Sequence, residues 1–448
     1  MVTSRLGIAP GCRVSLQRNR TLNILQITTH DTGRHFGCYG HPALHTPNID
    51  ALAADGVKLN NYFAAAPICC ASRASMLTGR YPQSNGLMDL CFGPGCWALR
   101  PGEQHVTHIL RAAGYRNLLF FFQHEVATHE LGRLAFDETR AMSLAGGGLP
   151  PCDAVARDAA DFLLHEAAGA SPFYAQVGFF ETHTPFEFGG VQPDESAGVE
   201  VPPYLAGDDP IARRDMATFQ GAVRKVDEAV GIIVDALRRA GLESDTLVVF
   251  TTDHGIEMPR AKWNLYDPGI AIAMILRCPS SNLTGGRQCD LLLSNVDYLP
   301  TILELAGVAV PPRVEGRSFA GALLQGDPTP VRDAVFALYQ KTCTRCVRTE
   351  RYKLIRHFDM GADFAKLPVR YDQMLRKRLT GPVELFDLAH DPNEFADLGG
   401  RPEYAEVERS LSSMLWDWME SVHDPLLEGL LHVPFYELTM REYRARKQ

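Results

Sequence analysis

Four short polar clusters carry the residue types that do hydrolytic chemistry. They are Thr29-His30-Asp31-Thr32, Cys69-Cys70-Ala71-Ser72-Arg73, Glu181-Thr182-His183, and Thr252-Asp253-His254-Gly255 with Lys262 a short way beyond. Two of them set an aspartate beside a histidine directly after an apolar run. Carboxylate oxygen and imidazole nitrogen together suit a divalent cation, and two such pairs could close on one ion. A single aspartate at a strand end more commonly caps a helix or forms a turn. Here the pair recurs, with a cysteine and arginine run between, and the balance moves toward a site. Taken alone, Cys69 and Cys70 could be no more than small buried hydrophobes.

The elements around the clusters indicate how they could meet. Residues 22–29 (LNILQITT) form a short apolar run, as expected of a buried strand with polar residues at its C-terminal end. Residues 47–55 read as a helix with Thr46 as cap and Pro47 in its first turn. Further buried strands are expected over 117–122, 173–179, 246–252 and 270–276, with long helices near 152–166 and 211–240. Such alternation implies an α/β fold, a mostly parallel sheet covered by helices on both faces. Sites in these sheets lie beyond the carboxyl ends of the strands, where this chain keeps its polar clusters. After about residue 330 the pattern becomes short strands (335–338, 346–349, 352–356, 384–387) and a helix over 402–422. A catalytic domain over 20–330 and a smaller antiparallel sheet-plus-helix domain over 331–448 are expected.

Composition narrows the function. Hydrophobic residues make up 46% of the chain and charged ones 22%, the balance of a folded globular protein. A net charge of −9 argues against nucleic acid as a bulk electrostatic partner, so an anionic substrate would need local positive charge. No apolar run reaches the length of a membrane span. The first twenty residues lack the continuous apolar stretch of a secretory signal, which points to the cytoplasm, with a periplasmic or secreted protein as the alternative. Eleven scattered cysteines favour a reducing compartment. Cys343 and Cys346 have no second pair at zinc spacing and read as two residues of one strand. Asn19 and Asn282 head glycosylation sequons, which matter only in a secreted protein.

The stretch 68–80 (ICCASRASMLTGR) is the most specific feature. It closely resembles the signature of the type I sulfatases: Cys, any residue, Pro or Ala, any residue, Arg, then Thr-Gly a few positions later. Cys69 fits that register and Cys70 does not. The resemblance extends through 23–40 (NILQITTHDTGRHFGCYG), the helix at 46–53, Thr252-Asp253-His254-Gly255 and 383–398 (VELFDLAHDPNEFADL). Within the family, residues 264–269 and 416–425 are similar to the heparan N-sulfatases and their bacterial relatives. The resemblance implies the alkaline-phosphatase superfamily fold and a formylglycine made from Cys69 by a formylglycine-generating enzyme. Hydrated and held against a divalent cation, that group would hydrolyse a sulfate ester or sulfamate, on a sulfated saccharide or other small molecule.

Residue by residue, the resemblance implies metal ligation by Asp31, Asp253 and His254. Arg73 would hold the formylglycine and neutralise sulfate, Lys262 would reach a sulfate oxygen, His124 would bond the hydrate, and His183 would protonate the leaving group. The chain departs from the family pattern twice. Where paired acids are usual it has His30-Asp31-Thr32, so either His30 or Thr32 could join the metal. Calcium is the family's ion; an imidazole from His30 would tilt the site toward manganese or another transition metal. The Lys usual two residues before His124 is Phe122 here, with Gln123 a neutral substitute at best. The loss of that charge keeps open a formylglycine-dependent phosphonate monoester or phosphodiester hydrolase. A non-catalytic carbohydrate- or metal-binding relative is the third reading, opposed by the joint survival of Cys69, Arg73, His124, His183, Asp253 and Lys262. Oligomeric state is left open, a homodimer among the options.

Overall fold

A computed structural model describes residues 22–92, 96–144, 147–169, 171–205, 209–326, 329–358 and 382–428. The leader reading and the sequon at Asn19 fall outside these residues. The strands in chain order are β1 (Asn23–Thr29), β2 (Val57–Leu59), β3 (Tyr62–Phe63), β4 (Arg116–Phe121), β5 (Glu138–Arg140), β6 (Phe173–Gly178) and β7 (Thr246–Thr252). They continue with β8 (Met274–Arg277), β9 (Arg287–Cys289), β10 (Leu293–Ser294), β11 (Val335–Tyr339), β12 (Thr344–Arg348), β13 (Tyr352–His357) and β14 (Val383–Asp387). Eight of them form one sheet in the order β5-β4-β6-β1-β7-β8-β2-β9. From β5 to β7 every neighbour is parallel, and β8 runs antiparallel between β7 and β2.

Alternation along β1 decides which layer each residue enters. Leu25 and Ile27 pack with the helices Cys152–His165 and Pro210–Arg239 on one face. Ile24 faces the other way, onto Ile109, Leu299 and Ile302 of the opposite helical layer. Both faces being covered is why the strand reads as a nearly continuous apolar run. No helix among the described residues is long and apolar enough to cross a membrane.

The second sheet, β11-β12-β13-β14, is antiparallel throughout. One face, with Val347, Leu354 and Leu385, packs against Leu411, Leu415 and Met419 of the helix Ala405–Ser421. The other face, with Ala337, Cys346, Ile355 and Phe386, joins an apolar cluster with Ile68, Cys70, Ala71 and Ala74. The small sheet therefore forms the back wall of the helix Cys69–Thr78.

Three local expectations change. The strand expected over 270–276 begins only at Met274, because residues Asp267–Ile270 make a helical turn pressed onto Gly255. A Cβ at Gly255 would lie 1.8 Å from the Pro268 carbonyl oxygen, so no other residue fits there. Cys343 sits in the turn before β12 (φ 48°), leaving only Cys346 on the strand. Thr46 occupies the cap position of the helix Pro47–Asp55, but its hydroxyl donates to the Asp50 carboxylate at 3.0 Å instead of receiving a helix N–H.

The capping acceptor for that helix comes from a distant one. Oδ1 of Asp227 accepts from the Ile49 N–H (2.8 Å), while Oδ2 takes the Asn48 N–H (3.2 Å) and side-chain amide (2.7 Å). Replacing a capping oxygen usually costs about 1–2 kcal/mol. Asp227→Ala should lower the free energy of unfolding by that amount in chemical denaturation, whereas Thr46→Val should cost less at the cap itself.

Candidate active site

Four adjacent parallel strands, β4-β6-β1-β7, end level with one another: Phe121 and Thr28 both pair with Gly178, and Thr29 pairs with Thr252. The segments that follow them hold His124, His183, His30 with Asp31, and Asp253 with His254. Residues more than 200 apart in sequence thus share one edge of the sheet. A Cβ at Gly178 would sit 2.1 Å from the Phe122 carbonyl oxygen, so glycine is what lets the chain after β4 cross so close to β6. At Asp31 the backbone turns through φ 44°, and its N–H donates to Oδ1 of Asp253 at 2.9 Å.

His30, Asp31, Asp253 and His254 are all fully buried, with one donor atom from each within 4.8 Å of the others. Nδ1 of His30 is 2.5 Å from Asp31 Oδ1 and 3.5 Å from Asp253 Oδ2; Nε2 of His254 is 3.0 Å from Asp31 Oδ1. His254 Nδ1 meets the Gly255 carbonyl at 2.9 Å, which makes Nδ1 the donor in the neutral ring and leaves the Nε2 lone pair facing the carboxylates. Nε2 of both histidines is buried without a hydrogen-bond partner. Two carboxylates and two imidazoles with open nitrogen positions are a donor set that fits a divalent cation. Burial alone would lower the His254 pKa, but Asp253 and Asp31 outweigh it and hold it near 10. The same demand for positive charge would be met by a bound cation.

The helix Cys69–Thr78 is buried along its whole length. Cys69, its first residue, lies with His30 and His124, one ligand atom of each within 4.8 Å. A hydrogen bond from the Cys70 thiol pulls the Cys69 pKa well below its ordinary value; burial opposes this, and His124 and His254 reinforce it. The Cys70 sulfur also lies 3.6 Å from that of Cys91. One helical turn on from Cys69, Arg73 donates through Nε to Asp253 Oδ2 at 2.9 Å. The Phe122 ring lies 5.1 Å from the Arg73 guanidinium carbon and 4.4 Å from the His124 ring.

Lys262 donates to Asp31 Oδ2 (2.5 Å) and Glu257 Oε2 (2.9 Å), and approaches His183 Nε2 at 3.2 Å. His183 Nδ1 faces the Thr184 carbonyl at 2.6 Å. All nine residues singled out from the sequence therefore gather in one place. Thr32 does not join them: its hydroxyl bonds those of Thr29 and Thr182 and the His30 carbonyl, so His30 alone enters the cluster from that segment. Gln123 also turns away. Its amide oxygen accepts from the Glu125 (2.8 Å) and Val126 (3.1 Å) N–H groups, and its nitrogen donates to the Val126 carbonyl (2.9 Å). It folds the loop that carries His124 and cannot stand in for a lysine.

Two carboxylates were missed. Glu257 closes the Lys262 and His183 group, and its place three residues after His254 was a usable signal. Glu125 is fully buried with neither oxygen hydrogen-bonded; burial raises its pKa to about 7 against the pull of Arg73. Nothing in the local sequence marked it.

Donors able to hold a metal ion and a cysteine–arginine helix thus meet at the carboxyl edge of one parallel sheet, a candidate hydrolytic site. The family model described as sulfatase matches residues 23–308, more than half the chain, and this chain belongs to the sulfatase family of hydrolases. A second model, N-sulphoglucosamine sulphohydrolase, C-terminal, matches residues 260–421. The chain is 27% identical to human N-sulphoglucosamine sulphohydrolase, covering 92% of each protein. It is 26% identical to an ulvan-active sulfatase of Formosa agariphila, covering 89% of this chain and 80% of that one. Among solved structures, a protein in complex with its substrate D-glucosamine-2-N,6-O-disulfate superposes with a TM-score of 0.71 at 19% identity, over 91% of this chain and 98% of that one. The phosphonate monoester hydrolase of Agrobacterium radiobacter gives 0.68 at 20% identity, over 90% and 96%. At these identities the two structures speak for the fold, a mostly parallel sheet between helices with a small antiparallel sheet beside it.

The Gln123 bonds set a test of this loop. Gln123→Ala leaves two N–H groups and a carbonyl without their partners, and should cost about 1–2 kcal/mol of unfolding free energy by denaturant titration. A residue that merely bound substrate would leave stability unchanged.

Proposed function

We propose that this protein hydrolyses the sulfamate or sulfate ester of a sulfated amino sugar, with a formylglycine formed from Cys69 as nucleophile. The observation that carries the reading is Cys69 as first residue of a buried helix, among His30, His124 and His254, one turn from Arg73. The substrate class rests on the likeness to the human relative and on the C-terminal family model, which spans Lys262, residues 264–269 and the first part of 416–425.

In this reading one hydroxyl of the hydrated aldehyde gives its proton to Asp253 and attacks sulfur. The bond from sulfur to the sugar oxygen or nitrogen breaks, and His183 supplies the proton that the leaving group needs. His124 then takes the proton of the second hydroxyl, the aldehyde reforms, and sulfate departs with the carbon–oxygen bond electrons. Arg73 and Lys262 carry the charge on the sulfuryl oxygens throughout. A divalent cation held by Asp31, Asp253, His254 and His30 would lower the pKa of the attacking hydroxyl. With two imidazoles in that set, manganese or another transition metal suits it better than calcium. Phe122, apolar beside the anion's place, keeps a phosphodiester as the second reading.

Peptide mass spectrometry of protein made with a formylglycine-generating enzyme should find the aldehyde at position 69 and a thiol at position 70. That protein should turn over N-sulfoglucosamine or 6-O-sulfoglucosamine with a higher kcat/KM than an aryl phosphodiester; the reverse order would assign it to the phosphodiester hydrolases. Metal analysis after dialysis should find about one divalent ion per chain, the coordination expected of a single four-donor site. Asp253→Asn should lose that ion together with activity, and retention of the ion would remove Asp253 from the ligand set.

A further inference from the structure

We infer that Glu257 sets the charge selectivity of this site, tuning it to substrates whose transferred group bears a single negative charge. The inference rests on the sulfatase reading above only for where the anion binds. Each cation that reaches the site is already matched. Arg73 is paired with Asp253 at 2.9 Å, and Lys262 lies 2.5 Å from Asp31 and 2.9 Å from Glu257. Asp31 and Asp253 belong to the donor cluster, and their charge is needed there. Glu257 lies outside that four-residue cluster but shares a second group of close donor atoms with Asp31 and His183, its carboxylate 3.5 Å from His183 Nε2. Its side chain is 11% exposed, whereas that of Asp31 is wholly buried, so it faces the open side of the group.

A fixed carboxylate there repels a dianion with twice the energy it exerts on a monoanion, while leaving Lys262 enough charge to bind one negative group. Phe122 packs 5.1 Å from the Arg73 guanidinium carbon and adds no positive charge for a second negative one. Sulfate esters, sulfamates and phosphodiesters bear one charge on the group transferred, and phosphate monoesters bear two above neutral pH. Glu257 therefore sorts substrates by charge rather than by sugar.

The test compares 4-nitrophenyl sulfate and bis(4-nitrophenyl) phosphate, both monoanions, with 4-nitrophenyl phosphate at pH 8, where it is a dianion. In Glu257→Gln the kcat/KM for the dianion relative to both monoanions should rise roughly tenfold, the size expected for one unit charge removed from a partly screened site. Glu257→Asp keeps the charge and should keep the wild-type ratio even if its absolute rates fall. Calorimetric binding of phenyl phosphate and phenyl sulfate to Cys69→Ala protein, with and without Glu257→Gln, should reproduce the shift without turnover. A ratio unchanged in Glu257→Gln, or shifted equally in Glu257→Asp, would overturn the inference. A wild-type protein with the aldehyde in place that hydrolyses no sulfate, yet shows the binding shift, would refute the sulfatase reading alone.

Discussion

Asp31 and Asp253 are both fully buried, and the backbone N–H of Asp31 donates to the carboxylate of Asp253. Two carboxylates so close in a low-dielectric interior repel strongly, and neither can be solvated by water. Much of the surrounding site answers that constraint. Arg73 binds one carboxylate, Lys262 the other, and His30 and His254 crowd between them. Burial pushes the Asp31 pKa upward, but Lys262, His30 and His254 together pull it well below the usual carboxylate range. The cluster is thus stable as a set of anions only because cations and imidazoles are packed against it. The same four donors lie close enough together that they could hold a divalent ion.

Holding this cluster requires four strand ends at one level and a helix aimed at them. The sheet order sets the first condition. The second depends on the small antiparallel sheet, whose inner face fills the space behind the helix Cys69–Thr78. Charge ties the two parts together as well as apolar contact: Asp267, in the turn pressed on Gly255, pairs with Lys353 at 2.5 Å and Arg348 at 3.0 Å from β13 and β12. Lys353 in turn lies 2.8 Å from Glu394. The described C-terminal residues are therefore part of what positions the helix Cys69–Thr78 and the segment carrying His254, although none of them belongs to the donor cluster.

The two departures from the usual sulfatase pattern have different consequences. His30 in place of an acid changes the donor set without changing its position, since an imidazole still reaches the cluster. Phe122 in place of a lysine puts an apolar ring where a charge is usual, 5.1 Å from the Arg73 guanidinium carbon and tilted against the His124 ring at 4.4 Å. In the proposed reading, the first would alter which ion suits the site, and the second how much negative charge it could receive.

Much of this was legible in the residues themselves. The strands ending at Thr29 and Thr252 were readable because buried parallel strands are continuous apolar runs that stop at polar residues, and the register of Cys69 followed from its spacing to Ala71 and Arg73. Local pattern also located both long helices and the four strands of the small sheet. What the sequence left open was His30 or Thr32; Gln123 as a substitute for lysine and Thr46 as the helix cap were expectations that the fold replaced. Which way such a side chain turns is something no period reveals, and Thr182, which holds Thr32, and Asp227, which caps the helix after Thr46, lie more than 100 residues from them. Glu125 became visible only once Arg73 had been brought to it, and the pairing of Glu257 only beside Lys262. A carboxylate's meaning lies in the charge beside it, and the tertiary fold alone decides which charge that is.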